Sequence, residues 1–71
     1  MRADTIEKIL KLCYTPRDKY EISLKTGIGV DTIKNYLGIL ISAGWLTRHP
    51  SQSQHNKMYY TTTTKGKERL A

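Results

Sequence analysis

The chain has 71 residues, which predicts a single domain spanning residues 1–71, near the lower size limit for folding without a disulfide or a metal. Its one cysteine excludes an intrachain disulfide and is typical of a reducing compartment. The sequence contains no apolar run long enough for a membrane span and no signal peptide after Met1. We therefore expect a cytoplasmic protein with no membrane partner.

Basic side chains outnumber acidic ones, and the excess lies in the second half of the chain. Twelve Lys and Arg against six Asp and Glu give a net charge of +6. Residues 1–31 hold six basic and five acidic side chains, whereas residues 32–71 hold six basic side chains and only Glu68. Each phosphate that a cation neutralises releases condensed counterions, so this distribution favours a nucleic-acid partner over a role in solubility alone.

The first predicted helix opens with Asp4-Thr5-Ile6-Glu7, the spacing of a capping box in which Asp4 accepts from the first turn. Helical spacing of the apolar residues then predicts one core-facing stripe, made by Ile6, Ile9, Leu10 and Cys13. We expect Cys13 to be a small buried hydrophobe and not a nucleophile. Pro16 ends the helix, because the residue before a proline is pushed out of helical geometry.

A helix, a tight turn and a second helix follow. Asp18 and Glu21 have the spacing of another capping box. Gly27 has the position of a left-handed helix cap, and Gly29 would give the chain freedom to start again in a new direction. Residues 30–43 then combine an apolar stripe with a small, polar face. This pattern is typical of a helix-turn-helix, whose second helix can lie in a DNA major groove.

The early exposed positions of residues 30–43 carry side chains that suit base edges. Asn pairs bidentately with adenine, Lys reaches the acceptors of guanine, and Thr offers a hydroxyl and a methyl group. Asp31 also favours the positive end of the helix, so we interpret it first as a capping-region residue and second as a reader of cytosine. The predicted base contacts are Asp31, Thr32, Lys34 and Asn35.

After Gly44 the apolar period changes to two, which predicts two antiparallel strands over residues 45–49 and 57–62. Residues 50–57, called the wing below, are polar apart from the proline and form a solvated loop that can contact the DNA backbone or minor groove. A polar tip that contacts nothing is the alternative. The inward-facing side chains of the second strand are expected to be Met58, Tyr60 and Thr62. Thr63 or Thr64 starts a last short helix in which Leu70 packs back on the core.

Several of these segments resemble motifs of the winged helix-turn-helix family. Residues 21–45 resemble its central helix pair, Ala43-Gly44-Trp45-Leu46 resembles the exit from its recognition helix, and residues 60–66 with Leu70 resemble its closing strand and helix. Thr62 stands where an aliphatic residue is usual, which should weaken the core there. The chain looks most like small archaeal transcriptional regulators and chromatin-associated proteins of this family. The resemblance implies an α+β winged helix-turn-helix with a three-helix core, a two-stranded β-hairpin wing and a short C-terminal helix.

The resemblance also implies a transcriptional regulator that binds double-stranded DNA, often as a homodimer because one helix reads only a few base pairs. In winged helices the start of the second helix often approaches the DNA backbone. Arg17 and Lys19 lie near this start, Arg48, His55 and Lys57 lie in or beside the wing, and Lys65 lies in the last helix. The predicted backbone contacts are these six: Arg17, Lys19, Arg48, His55, Lys57 and Lys65. Two alternatives remain open: non-specific nucleoid or RNA binding, and a protein-interaction module whose surface would be Leu24, Ile39 and Ile41.

The sequence predicts no enzyme, cofactor or small-molecule substrate. It contains no nucleophile and base at a recognised spacing, no phosphate-loop glycine pattern, and too few residues to enclose a substrate pocket beside a core. His49, His55 and Cys13 do not have the spacing of a metal site.

Overall fold

The structure is a computed structural model, and it describes residues 2–52 and 57–71. Its elements follow in the order α1 (Ala3–Leu12), α2 (Lys19–Thr26), α3 (Val30–Ser42), β1 (Leu46–Pro50), β2 (Met58–Thr62) and α4 (Thr64–Leu70). The predicted α+β winged helix-turn-helix is confirmed, with α1 to α3 around one core, a β1–β2 hairpin and a short last helix. Within the described residues, no helix combines the length and the apolar character that crossing a bilayer requires.

The first helix starts earlier than the sequence pattern indicated. Arg2 occupies the N-cap position and provides no side-chain cap. Asp4 lies inside the first turn, where its Oδ1 accepts from the Thr5 amide at 3.0 Å, so the predicted capping box at Asp4 is wrong. The acidic side chain still faces the positive end of the helix dipole. The helix ends at Leu12, several residues before Pro16.

The turn between α2 and α3 depends on one glycine. Asp18 caps α2 as predicted, because its Oδ1 accepts from the Glu21 amide at 2.8 Å. Gly27 has a φ of 73° in the left-handed region, as predicted for the helix cap. Gly29 has a φ of −58°, which any residue adopts, so the turn does not use the conformational freedom that was predicted for Gly29. The new direction of the chain is therefore set at Gly27.

The core lies between the three helices and the hairpin. Cys13 is fully buried, as predicted from the apolar stripe of α1. Thr62 is buried too, and its hydroxyl donates to the Leu10 carbonyl at 2.5 Å while its amide donates to the Cys13 carbonyl at 2.9 Å. The polar group that replaces the usual aliphatic residue is thus satisfied, which removes the main cost of burying it. The buried apolar residues are Ile6, Ile9, Leu10, Cys13, Ile22, Ile33, Leu37, Leu40, Leu46 and Tyr60.

The hairpin runs from the core into solvent. Its antiparallel register pairs Leu46 with Thr62 at the base and Pro50 with Met58 at the far end. Tyr60 is buried, whereas Met58, on the same face of β2, is 39% exposed. Met58 therefore lies on the predicted face of β2 without being buried, at the end of the hairpin where β1 is exposed as well.

The last helix packs tightly on the start of the hairpin. Thr63 caps it, with an Oγ1 that accepts from the Gly66 amide at 3.0 Å and donates to the Gly44 carbonyl at 2.6 Å. A Cβ at Gly66 would clash with the carbonyl oxygen of Trp45 and would lie 2.7 Å from Thr62 Cγ2. Glycine at this position therefore permits α4 to approach the hairpin closely.

Candidate nucleic-acid interface

The solvent face of α3 begins with the predicted base contacts. Ile33, Leu37 and Leu40 are buried and fix how the helix is rotated on the core. The side chains of Asp31, Thr32, Lys34 and Asn35 are consequently all exposed in the first two turns. Their exposure agrees with the sequence analysis, and their contact with bases stays a prediction.

The same face continues with Gly38, Ile39 and Ser42, which are also exposed. Ile39 is 49% exposed, whereas Ile41 is partly buried against the core. Of the apolar surface that the sequence suggested for a protein partner, Ile41 thus packs inside the domain. Leu24 is 83% exposed, but it lies on α2 and not on α3.

Arg17, a predicted backbone contact, is held by the protein itself. Its Nε donates to the Leu12 carbonyl at 2.7 Å, and its guanidinium pairs with the Glu21 carboxylate at 3.0 Å. Its backbone exchanges two hydrogen bonds with Tyr60, at 3.2 Å and 2.9 Å. Arg17 therefore joins the end of α1, the start of α2 and the hairpin. Because its guanidinium already pairs with Glu21, a phosphate would have to compete with that carboxylate.

Lys57, another predicted backbone contact, links the wing to the start of α2. Its Nζ lies 3.1 Å from Oδ2 of Asp18, while the other carboxylate oxygen of Asp18 caps α2. Partial burial alone would raise the pKa of Asp18, but hydrogen bonds from the Glu21 amide and from Lys57 outweigh it and lower this pKa. The hydrogen bond to Asp18, with a contribution from Tyr59, raises the pKa of Lys57. Both shifts favour the charged pair.

The other predicted backbone contacts lie apart from this link. Lys19 has its Nζ 5.3 Å from the ring centroid of Tyr20, a cation–π distance. Arg48 is exposed on β1 opposite Tyr60, and within residues 2–52 and 57–71 no ion pair or ring contact involves it. Lys65 runs beside Gly44 at the exit of α3, so it lies at the other end of that helix from the predicted base contacts. His55 lies outside the described residues.

Tyr20 is a further candidate phosphate contact, which was not among those predicted from the sequence. It is 62% exposed in the first turn of α2, and a tyrosine hydroxyl is one of the groups that can donate to phosphate oxygens. The signal was present in the sequence, because Tyr20 and Leu24 are four residues apart and lie opposite buried Ile22. The capping pattern of Asp18 and Glu21 explains the residues around Tyr20 without giving Tyr20 a role.

The buried thiol and the acidic side chains do not assemble into a metal site in the described part of the chain. No three His, Cys, Asp or Glu side chains come together there. Burial raises the pKa of the Cys13 thiol to about 12, against the smaller opposing effect of Arg17. The neutral thiol is therefore the form present at neutral pH, and it is a poor nucleophile and ligand.

A family model described as winged helix-turn-helix matches residues 1–71, and the chain therefore belongs to the winged helix-turn-helix family. A transcriptional regulator from Thermotoga maritima is 26% identical, with a TM-score of 0.87 over 93% of this chain and 48% of that one. No curated protein matches the chain.

Two further similar structures were solved with DNA. FabT from Streptococcus pneumoniae, in complex with DNA, is 19% identical, with a TM-score of 0.82 over 99% of this chain and 51% of that one. A MarR mutant from E. coli, complexed with operator DNA, is 19% identical, with a TM-score of 0.83 over 96% of this chain and 49% of that one. At this identity the likeness concerns the fold. The chain spans about half the length of the solved structures it matches.

Proposed function

We propose that this chain is the double-stranded DNA-binding domain of a transcriptional regulator, with α3 in the major groove and the wing on the adjacent backbone or minor groove. The observation that supports this most is the exposed polar face at the start of α3, directly after the tight turn of a winged helix-turn-helix. FabT and MarR, which have this fold, were solved with DNA. The net charge of +6 has the sign that a polyanionic partner requires.

In this proposal Thr32, Lys34 and Asn35 read base edges, and Asp31 supports the helix start and faces cytosine. Arg48, Lys19, Lys57, Lys65 and His55 hold phosphates, with a partial contribution from Arg17. A homodimer would bind two half-sites, because one helix reads only a few base pairs. The work of such a domain is binding and not catalysis, and it would take place where the DNA is, in the cytoplasm at the nucleoid.

The experiment is a titration of a random-sequence duplex pool at low and moderate salt, repeated with a pool enriched by selection on the protein. A sequence-specific regulator binds the enriched pool more tightly, and its affinity falls with salt according to the number of phosphates it neutralises. Equal binding of both pools would indicate architectural, non-specific binding. Absence of binding even at low salt would contradict the proposal and favour a protein partner.

Two variants distinguish a base contact from a phosphate contact. Asn35→Ala should lose about 1–3 kcal/mol on the enriched duplex and little on random DNA, because a base contact carries sequence information. Arg48→Ala should weaken both pools alike and reduce the salt slope by about one, because a phosphate contact does not distinguish sequences. The two variants are controls for each other. If Asn35→Ala discriminates between the enriched and random pools as well as wild type does, Asn35 does not contact a base.

A further inference from the structure

Gly38 is a residue that the fold does not require. It lies in the interior of α3, and apart from its chain neighbours and the adjacent helix backbone, no described atom would lie within 4 Å of a Cβ placed there. Its φ is not positive, since the positive-φ glycines of the described chain are Gly27 and Gly44. Alanine would favour the helix, because glycine is the weakest helix former after proline. Neither packing nor backbone conformation within the domain explains the glycine.

Ile39, the next residue, is equally unexpected. It is 49% exposed, and its β-branched side chain has a lower helix propensity than a long polar one. Single exposed apolar residues are common on protein surfaces, so exposure alone carries little weight. Here, however, two adjacent positions on one helix face both depart from local preference. Such departures without internal compensation are expected at functional sites.

The position of Ile39 connects it to the predicted base contacts. Thr32, Asn35 and Ile39 are exposed and are spaced by three and four residues, so they form one stripe along α3. The stripe is about 10 Å long at the rise of an α-helix. That length matches about three base-pair steps of 3.4 Å. Gly38 adjoins this stripe, and its missing Cβ lets a partner approach the helix backbone there.

We propose that Gly38 and Ile39 extend the base-reading surface of α3. Ile39 contacts the 5-methyl group of a thymine, which is the apolar feature that the major groove presents. Gly38 is a positioning residue that lets the helix lie close enough for this contact. The inference rests on the proposed function, because it requires α3 in the major groove. It specifies a half-site with an adenine facing Asn35 and a thymine facing Ile39.

The test replaces the thymines of the enriched duplex by deoxyuridine, one at a time, which removes the methyl group and keeps the base pair. One replacement should weaken binding of the wild-type protein about fourfold, the factor expected for one buried methyl group. The same replacement should not affect Ile39→Ala. Leu24→Ala is the matched control, because Leu24 is 83% exposed on α2, and it should show the full fourfold response.

Equal weakening of wild type and Ile39→Ala at every sensitive thymine would overturn the role of Ile39, as would a duplex without any sensitive thymine. Gly38→Ala tests the second half of the inference. It should raise the melting temperature and yet weaken DNA binding about tenfold or more, because the new methyl group meets the DNA. Undiminished binding by Gly38→Ala would overturn its positioning role. If wild type binds no duplex, the proposed function itself has failed, and this is known before any thymine is replaced.

Discussion

Gly66→Ala gives a sharp test of the packing between α4 and the hairpin. The added Cβ would clash with the backbone carbonyl oxygen of Trp45, which also accepts a hydrogen bond from the Thr63 amide at 3.0 Å. A backbone group cannot rotate away as a side-chain tip can, so α4 must shift. Overpacking of this kind costs about 1–3 kcal/mol and occasionally more, against up to about 1 kcal/mol gained from alanine in a helix. We therefore expect a net loss of about 1–2 kcal/mol.

The assay is thermal and urea unfolding followed by circular dichroism, with the fluorescence of Trp45 as a local probe. For a domain of this size, 1 kcal/mol corresponds to about 4–8 °C in melting temperature. Gly38→Ala is the matched control, because the same substitution in open space should raise the melting temperature by a few degrees. Equal or greater stability of Gly66→Ala relative to wild type would refute the close-approach argument.

Two further predictions concern titratable groups. The Cys13 thiol has a native pKa of about 12, against 9.0 for an exposed thiol. As the pH rises above 9.0, the thiol therefore ionises in the unfolded chain before it ionises in the native one, and the free energy of unfolding falls. Cys13→Ala should flatten this fall, measured by urea unfolding between about pH 8 and pH 11, and an unchanged curve would contradict burial as its cause. The pKa of Asp18 is lower in the native protein than its ordinary value of 3.8. The charged carboxylate therefore stabilises the fold at any pH above 3.8, and this stabilisation is lost as the pH falls through the native pKa. Asp18→Asn keeps a capping oxygen and should be about 1 kcal/mol more stable than Asp18→Ala at neutral pH, whereas equal stabilities would show that the cap contributes nothing.

The helix-turn-helix was predictable because its determinants are local. The apolar stripe of α3 fixes which face is buried, and Gly27 marks the turn by the one backbone conformation that favours glycine. How far the core extends along the hairpin could not be predicted from the sequence. Alternation assigned Met58 to the inner face of β2, but it does not say how far the hairpin extends past the helices. At α1, Asp4 and Glu7 have the spacing of a capping box, but the helix begins at Ala3, so Asp4 lies inside its first turn and not at its N-cap.

The candidate site was predictable in its exposed positions and not in its ion pairs. Exposure of residues 31–35 outside the buried stripe follows from the helical period alone. The pair between Arg17 and Glu21, four residues apart around the start of a helix, was within reach of the same reasoning. The pair between Asp18 and Lys57 joins residues far apart in sequence, and only the packing of the hairpin against α2 brings them to 3.1 Å.

These ion pairs limit how many cationic side chains can bind phosphate without competition from a carboxylate. Arg17 and Lys57 hold the hairpin to the start of α2, so a phosphate that engages them competes with Glu21 and Asp18. Arg48 has no such competitor in the described part of the chain, and its contact with phosphate would add directly to the salt dependence. In the proposed complex with DNA, we therefore expect fewer phosphate contacts than the net charge of +6 suggests, and a salt slope smaller than the number of nearby cations.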